Sequence, residues 1–152
     1  MTPSRSRNAE TARTTSLDLL NRHLAAAVIL QDRMLHSSRN VRGPDFIMVD
    51  DLCDRVARLM EGCTMVIATR VADLGGVPQW PDQLGWRTPT TPKVAPIAGP
   101  LEAFAQSVLD AATVAEAYGD EATSDLLASM WRDVDRHLWM TVKAPYARHS
   151  AM

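Results

Sequence analysis

The side chains best suited to hold a metal ion or move a proton in this chain are its four histidines, His23, His36, His137 and His149, and aspartates placed near them. Imidazole and carboxylate groups together suit divalent transition metals. Asp32 and His36 are four residues apart, as are Asp133 and His137. On a helix that spacing puts both groups on one face, where they can share a cation or pair locally. Local pairing is the simpler reading of both. Asp50, Asp51 and Asp54 crowd the start of another predicted helix. Carboxylates there interact well with the helix dipole, and as oxygen donors they would also suit a hard cation. Cys53 and Cys63 share one predicted helix, separated by roughly 15 Å of rise, too far for a disulfide. They read as reduced thiols packed like small hydrophobes.

The elements that must position these groups are helical. Only seven glycines and two phenylalanines occur in 152 residues, and the abundant Ala, Leu, Met and Val favour helix over sheet. Residues 1–15 are polar, with Arg5, Arg7 and Arg13 against Glu10, and are expected to form a disordered tail. A first helix is expected over 16–40, with Ser16 as N-cap and Leu17, Leu20, Leu24 and Ala27 on one face. A second starts at Pro44 and carries a stripe from Phe46 through Cys53, Met60 and Ile67 to Leu74, where Gly75-Gly76 stops it. Six prolines between 77 and 100 exclude a long helix there. They predict a crossover with a short helical turn near Asp82–Trp86. A third helix is expected from Pro100 to Tyr118, and a fourth from about Asp120 to Ala144, stopped by Pro145. Trp131 and Trp139 share a face of the fourth, suited to a core or subunit contact.

The expected architecture is therefore all-α: one four-helix bundle over residues 16–145, with a long proline-rich crossover between the second and third helices and a short C-terminal tail, 146–152. A net charge of −2 excludes a molecule that attracts nucleic acid over its whole surface, so any such contact needs a local patch. No signal-like apolar region opens the chain, and its longest apolar run, Leu24 to Leu30, is too short to span a bilayer. A cytoplasmic protein is expected.

Several segments resemble the Dps family, the DNA-binding proteins from starved cells, which are ferritin-like. Arg39-Asn-Val-Arg-Gly-Pro-Asp-Phe46 is similar to the family's HWNVRGPxF. Arg70-Val-Ala-Asp-Leu-Gly-Gly76 is similar to the end of its DxxAERxxxLGG. Gly119-Asp-Glu-Ala-Thr-Ser-Asp-Leu-Leu127 and Asp135-Arg-His-Leu-Trp-Met140 resemble GDxxTADLL and DKHLWF. The matches keep their order over residues 16–144. The third helix is about two turns shorter than the family's, and the crossover is richer in proline.

The resemblance implies a hollow dodecameric shell, oxidation of ferrous iron by peroxide, storage of ferric mineral and, in many members, DNA binding through basic tails. It also implies an iron site shared between two subunits. One subunit supplies the histidines of HWN and of an LHE motif, and the other supplies the Asp and Glu of DxxAER. Here those positions fall on Ser38, Asp50, Met65 and Thr69. Asp50 alone is a ligand-type residue; two hydroxyls and a thioether are poor iron ligands. His36, two residues before Ser38, lies about 200° around the helix from it. The family's iron passages imply pore carboxylates at Asp120, Glu121 and Asp125, a region that also suits capping of the fourth helix. Arg5, Arg7 and Arg13 are the candidate DNA contacts, acting together when repeated over a shell.

The expected function is a Dps-like shell protein for iron binding and storage and for protection of DNA or against oxidative stress. Its inter-subunit ferroxidase site is expected to be degenerate, with iron bound weakly or non-catalytically. The expected partners are further copies of the chain and non-specific DNA in the nucleoid, with no membrane. One alternative is a shell or interaction subunit with no iron role, partnering an active paralogue. Another is an active enzyme whose metal site has moved.

Overall fold

The computed structural model describes residues 3–40, 43, 46–81 and 97–143. These form four helices: α1 (Pro3–Asn40), α2 (Phe46–Asp73), α3 (Ala98–Ala117) and α4 (Glu121–His137). A π-helical segment over Leu138–Lys143 continues α4. No strand occurs among the described residues. The expected starts at Pro44 and Asp45, the turn at Asp82–Trp86, the prolines at 89, 92 and 96, the stop at Pro145, His149 and the tail 146–152 lie outside the described residues.

The first expectation to be corrected is the disordered tail. Residues 3–15 are helical and belong to α1, which is 38 residues long. Nothing after Pro3 breaks the helix, and proline is well tolerated in a first turn. A tertiary anchor completes the explanation. Arg13 Nε donates to the Leu74 carbonyl at 2.7 Å and its Nη2 to the Gly75 carbonyl at 3.3 Å, while Nη1 meets Glu10. A cation at the carbonyl end of α2 is favourable, so the bundle holds the extension in place. Ser16 is consequently not a cap. It is fully buried in mid-helix, and its hydroxyl donates to Asp120.

Two antiparallel pairs, α1 with α2 and α3 with α4, make up the bundle, and α1 also packs on α3. Arg70 near the end of α2 and Asp120 just after α3 form an ion pair, so these two helices finish at the same end. They therefore run parallel, and the chain between them must return along a bundle roughly 40 Å long. This is the single long connection expected of the fold. Gly75, at φ +76°, turns the chain out of α2, and its left-handed backbone is one that glycine adopts without strain. Gly76 then passes so close to α1 that a Cβ there would meet Leu17 at 2.5 Å. Beyond it, Gln79 N–H donates to Asn21 Oδ1 at 2.8 Å and lays the start of the connection along α1.

Leu20, Leu24, Met60, Ile67, Leu101 and Leu127 are among the largest fully buried side chains. They are the residues the helical periodicity marks. Buried alanines on α3, including Ala105, Ala111, Ala112 and Ala115, allow close helix packing. Phe46 departs from the expected stripe and is 44% exposed. It opens α2 level with the end of α1, where neighbouring cover runs out. The fourth helix also differs, since regular α geometry ends at His137.

Candidate functional site

The end of α1 and the start of α2 bring Ser38 and Asp50 together. The Ser38 hydroxyl donates directly to the Asp50 carboxylate, and both side chains are half-buried. Met65 and Thr69 lie farther down α2. Asp50 and Met65 are fifteen positions apart, about 22 Å of helical rise, so one chain cannot bring all four together. Met65 is 61% exposed. Thr69 Oγ1 donates back to the Met65 carbonyl at 2.8 Å. Each chain thus carries two separate pairs: a hydroxyl bonded to a carboxylate, and an exposed thioether beside a hydroxyl already bonded to its own helix.

The neighbouring carboxylates of α2 are engaged separately. Asp51 pairs with Arg55 at 2.9 Å and Asp54 with Arg58 at 2.8 Å. Three aspartates with three different partners do not form a cation cradle. Among the described residues, no three His, Cys, Asp or Glu side chains are grouped to hold a metal. The donor set at the four family positions does not fit iron.

Each described histidine can be placed. His23 is buried between α1 and α3. Its Nδ1–H donates to the Leu19 carbonyl at 2.7 Å, its Nε2 accepts from Ser107 Oγ at 2.8 Å, and its ring meets the edge of Phe104. Those contacts give it a packing role. His137 Nδ1 donates to the Asp133 backbone carbonyl at 2.9 Å, while the Asp133 carboxylate stands 3.8 Å from Arg136; the contact is local but is not the side-chain pair expected. His36 is half-buried on α1. Both cysteines are free and buried. Burial raises the Cys53 thiol above its ordinary value, with Asp50 adding to the effect. Burial first, and Asp133 second, push Cys63 up to about 12. Neither is a thiolate near neutral pH.

A second polar cluster includes the helix cap expected at the start of α4, together with partners from α1 and α2 that the sequence does not reveal. Asp120 caps α4, accepting from Thr123 N at 3.1 Å and from Thr123 Oγ1 at 2.6 Å. Ser16 Oγ donates to it at 2.6 Å and Arg70 Nη2 at 3.2 Å. Arg70 Nε also donates to Thr123 Oγ1 at 3.0 Å. The side chains of Arg70 and Asp120 are only 19% and 12% exposed. Burial works against the Asp120 charge, but the Ser16 and Thr123 hydrogen bonds and the Arg70 cation outweigh it. The carboxyl is held below its ordinary value. The knot joins α1, α2 and α4.

This geometry sorts the remaining candidates. Of the three expected pore carboxylates, Asp120 turns into the bundle and is spent on the knot, whereas Glu121 and Asp125 are exposed. Of the three expected DNA-contacting arginines, Arg13 is committed to the α2 terminus. Arg5 and Arg7 are exposed on a stretch, residues 3–11, with no buried side chain. Trp131 packs against the core, while Trp139 is 60% exposed.

Four helices in two antiparallel pairs, joined by one long return, define the ferritin-like class. The sequence pattern of the ferritin-like domain matches residues 17–143. The chain is 29% identical over 140 residues to the DNA protection during starvation protein of Agrobacterium fabrum, covering 84% of this chain and 86% of the relative. The structure superposes on DpsC from Streptomyces coelicolor with a TM-score of 0.71 and 27% identity, covering 88% of this chain and 84% of the other. A Dps protein from Bacillus brevis shares the fold with a TM-score of 0.69 at 23% identity, over 86% and 95% of the two chains. The chain belongs to the ferritin-like family, and these relatives are Dps proteins.

Proposed function

We propose that this chain builds a Dps-type homododecameric shell that binds or stores iron and shields DNA, without a working ferroxidase site at the two-fold contact. Family membership supports the general function of iron storage and DNA protection. The hydrogen bond from Ser38 to Asp50 carries the finer reading. A hydroxyl fills the place of one metal-binding imidazole and occupies the only carboxylate at the four positions. In a shell, the other half-site would come from a second copy through Met65 and Thr69, with no imidazole or carboxylate to add.

Iron then behaves as cargo. Glu121 and Asp125 remain exposed near the start of α4, where rings of carboxylates around a pore would attract cations. Arg5 and Arg7 are placed to touch phosphate. Two charges per chain are weak alone, but their repetition over a shell gives salt-sensitive, sequence-independent binding. In the cell such a shell would sit in the cytoplasm on the nucleoid.

Anaerobic ferrous loading followed by peroxide tests the proposal, with assembly state followed by light scattering. Slow mineral growth in a dodecamer, without a fast phase at sub-stoichiometric iron, is the expected result. A fast phase would overturn the degenerate-site reading, and a stable monomer would overturn the shell.

A further inference from the structure

The two antiparallel helix pairs do not close evenly, and α2 and α4 leave a groove of about 840 Å³ between them. Cavities of this size hold small organic ligands. Its floor is aliphatic and sulfur-containing, made by Leu59, Cys63 and Val66 of α2 with Leu126 and Met130 of α4. The Cys63 thiol, protonated by virtue of its burial, belongs to this apolar surface. Val66 is 45% exposed along the groove. Gly62 borders the opening, and a Cβ there would meet nothing within 4 Å.

The two ends of the groove differ in charge. Arg55 and Arg58 flank one end on α2. Their ion pairs with Asp51 and Asp54 are exposed and local, so they hold the guanidinium groups only weakly. The single acid on the lining, Asp133, stands 3.8 Å from Arg136. No charged side chain lines the other end, around Val66 and Leu126. From Arg55 to Val66 the groove follows about 16 Å of helix.

We propose that this groove is a binding site for a linear aliphatic carboxylate, a medium-chain fatty acid. Its alkyl chain lies along the floor, and its carboxylate meets Arg55 and Arg58. The groove's apolar length matches an extended alkyl chain, and its cationic end complements one anionic head group. This site is separate from the half-sites at Ser38–Asp50 and Met65–Thr69, and it does not depend on iron.

The test is titration of the full chain with dodecanoate, below its micelle concentration, by calorimetry. Assembly state is checked in parallel. Saturable binding at one site per chain is expected. Gly62→Leu fills the open space while improving helix propensity, and should weaken binding at least ten-fold. Gly62→Ala offers the same helical benefit but leaves the groove open, and should bind within about three-fold of the parent. The double change Arg55→Gln and Arg58→Gln should weaken dodecanoate several-fold and remove most of the salt dependence of binding. No saturable binding by the parent chain, or equal binding by Gly62→Leu, would overturn the site. So would loss of assembly in Gly62→Leu with no dodecanoate bound by the parent, which would identify the groove as a contact between copies.

Discussion

The two polar regions of this molecule differ in how much of their chemistry is completed within one chain. At the Asp120 knot every partner is internal. Ser16, Arg70 and Thr123 all direct donors at one part-buried carboxylate. At the Ser38–Asp50 end a single hydroxyl satisfies a half-buried carboxylate, and Met65 lies about 22 Å away along α2. The first region is committed to holding three helices together. The second ties only the end of α1 to the start of α2. Losing Asp120 should therefore unsettle three helices at once, whereas losing Asp50 should unsettle one corner of the bundle.

The contrast is tested most severely by Asp120→Ala. It removes the α4 cap, worth about 1 kcal/mol, and leaves the part-buried Arg70 without its counter-charge, a loss of about 2 kcal/mol. Thermal melting should fall by roughly 10 °C. Asp50→Ala should cost far less, since only one hydroxyl loses its acceptor. Equal losses at both positions would remove the distinction. The same carboxylate sets a pH signature. Its folded pKa lies below its ordinary 3.8, so its contribution is complete above that value and is lost as pH falls through the folded pKa. Asp120→Asn preserves the cap but not the charge. It should melt lower at neutral pH and approach the parent as both are acidified below about pH 4.

The next largest effect should come from adding metal ligands. If the proposed function holds, Ser38→His, Asp50→His, Met65→Asp and Thr69→Glu together would place two imidazoles and two carboxylates across a contact between copies. Ferrous oxidation should gain a fast phase, at least ten-fold over the parent in initial rate, while melting and assembly stay close to it. A correctly assembled quadruple variant with unchanged kinetics would mean that the half-sites do not meet between copies.

Much of this was legible in the sequence, and the exceptions share a cause. The stripes of α2, α3 and α4 and the glycine stops at Gly75 and Gly119 could be read because they are local patterns. The closeness of Ser38 and Asp50 is no such pattern, because it depends on how the chain turns between α1 and α2. The knot was hidden because its partners lie far apart in sequence: Arg70 is 50 residues from Asp120, and Ser16 is 104. The first turns of α1 were missed for the same reason. Their polar residues give no stripe, and Arg13 finds its anchor 61 residues away.

That anchor yields the smallest effect. Arg13 is the joint that turns a polar segment into helix, whereas Arg5 and Arg7 only ride on it. Arg13→Ala removes two charge-assisted bonds to the terminal carbonyls of α2, worth about 1–2 kcal/mol together in a part-exposed setting. Helical signal should fall by an amount matching residues 3–12, with the bundle's melting shifted only a few degrees. Arg5→Gln with Arg7→Gln should change stability by less than about 0.5 kcal/mol and leave the helical signal intact. The double change should nevertheless flatten the salt dependence of DNA binding, because each lost phosphate contact lowers the slope. Arg13→Ala should weaken DNA binding too, but by loosening the arm that presents the other two arginines. A gel shift at two salt concentrations separates the roles: the double variant loses slope, whereas Arg13→Ala loses affinity with most of the slope retained.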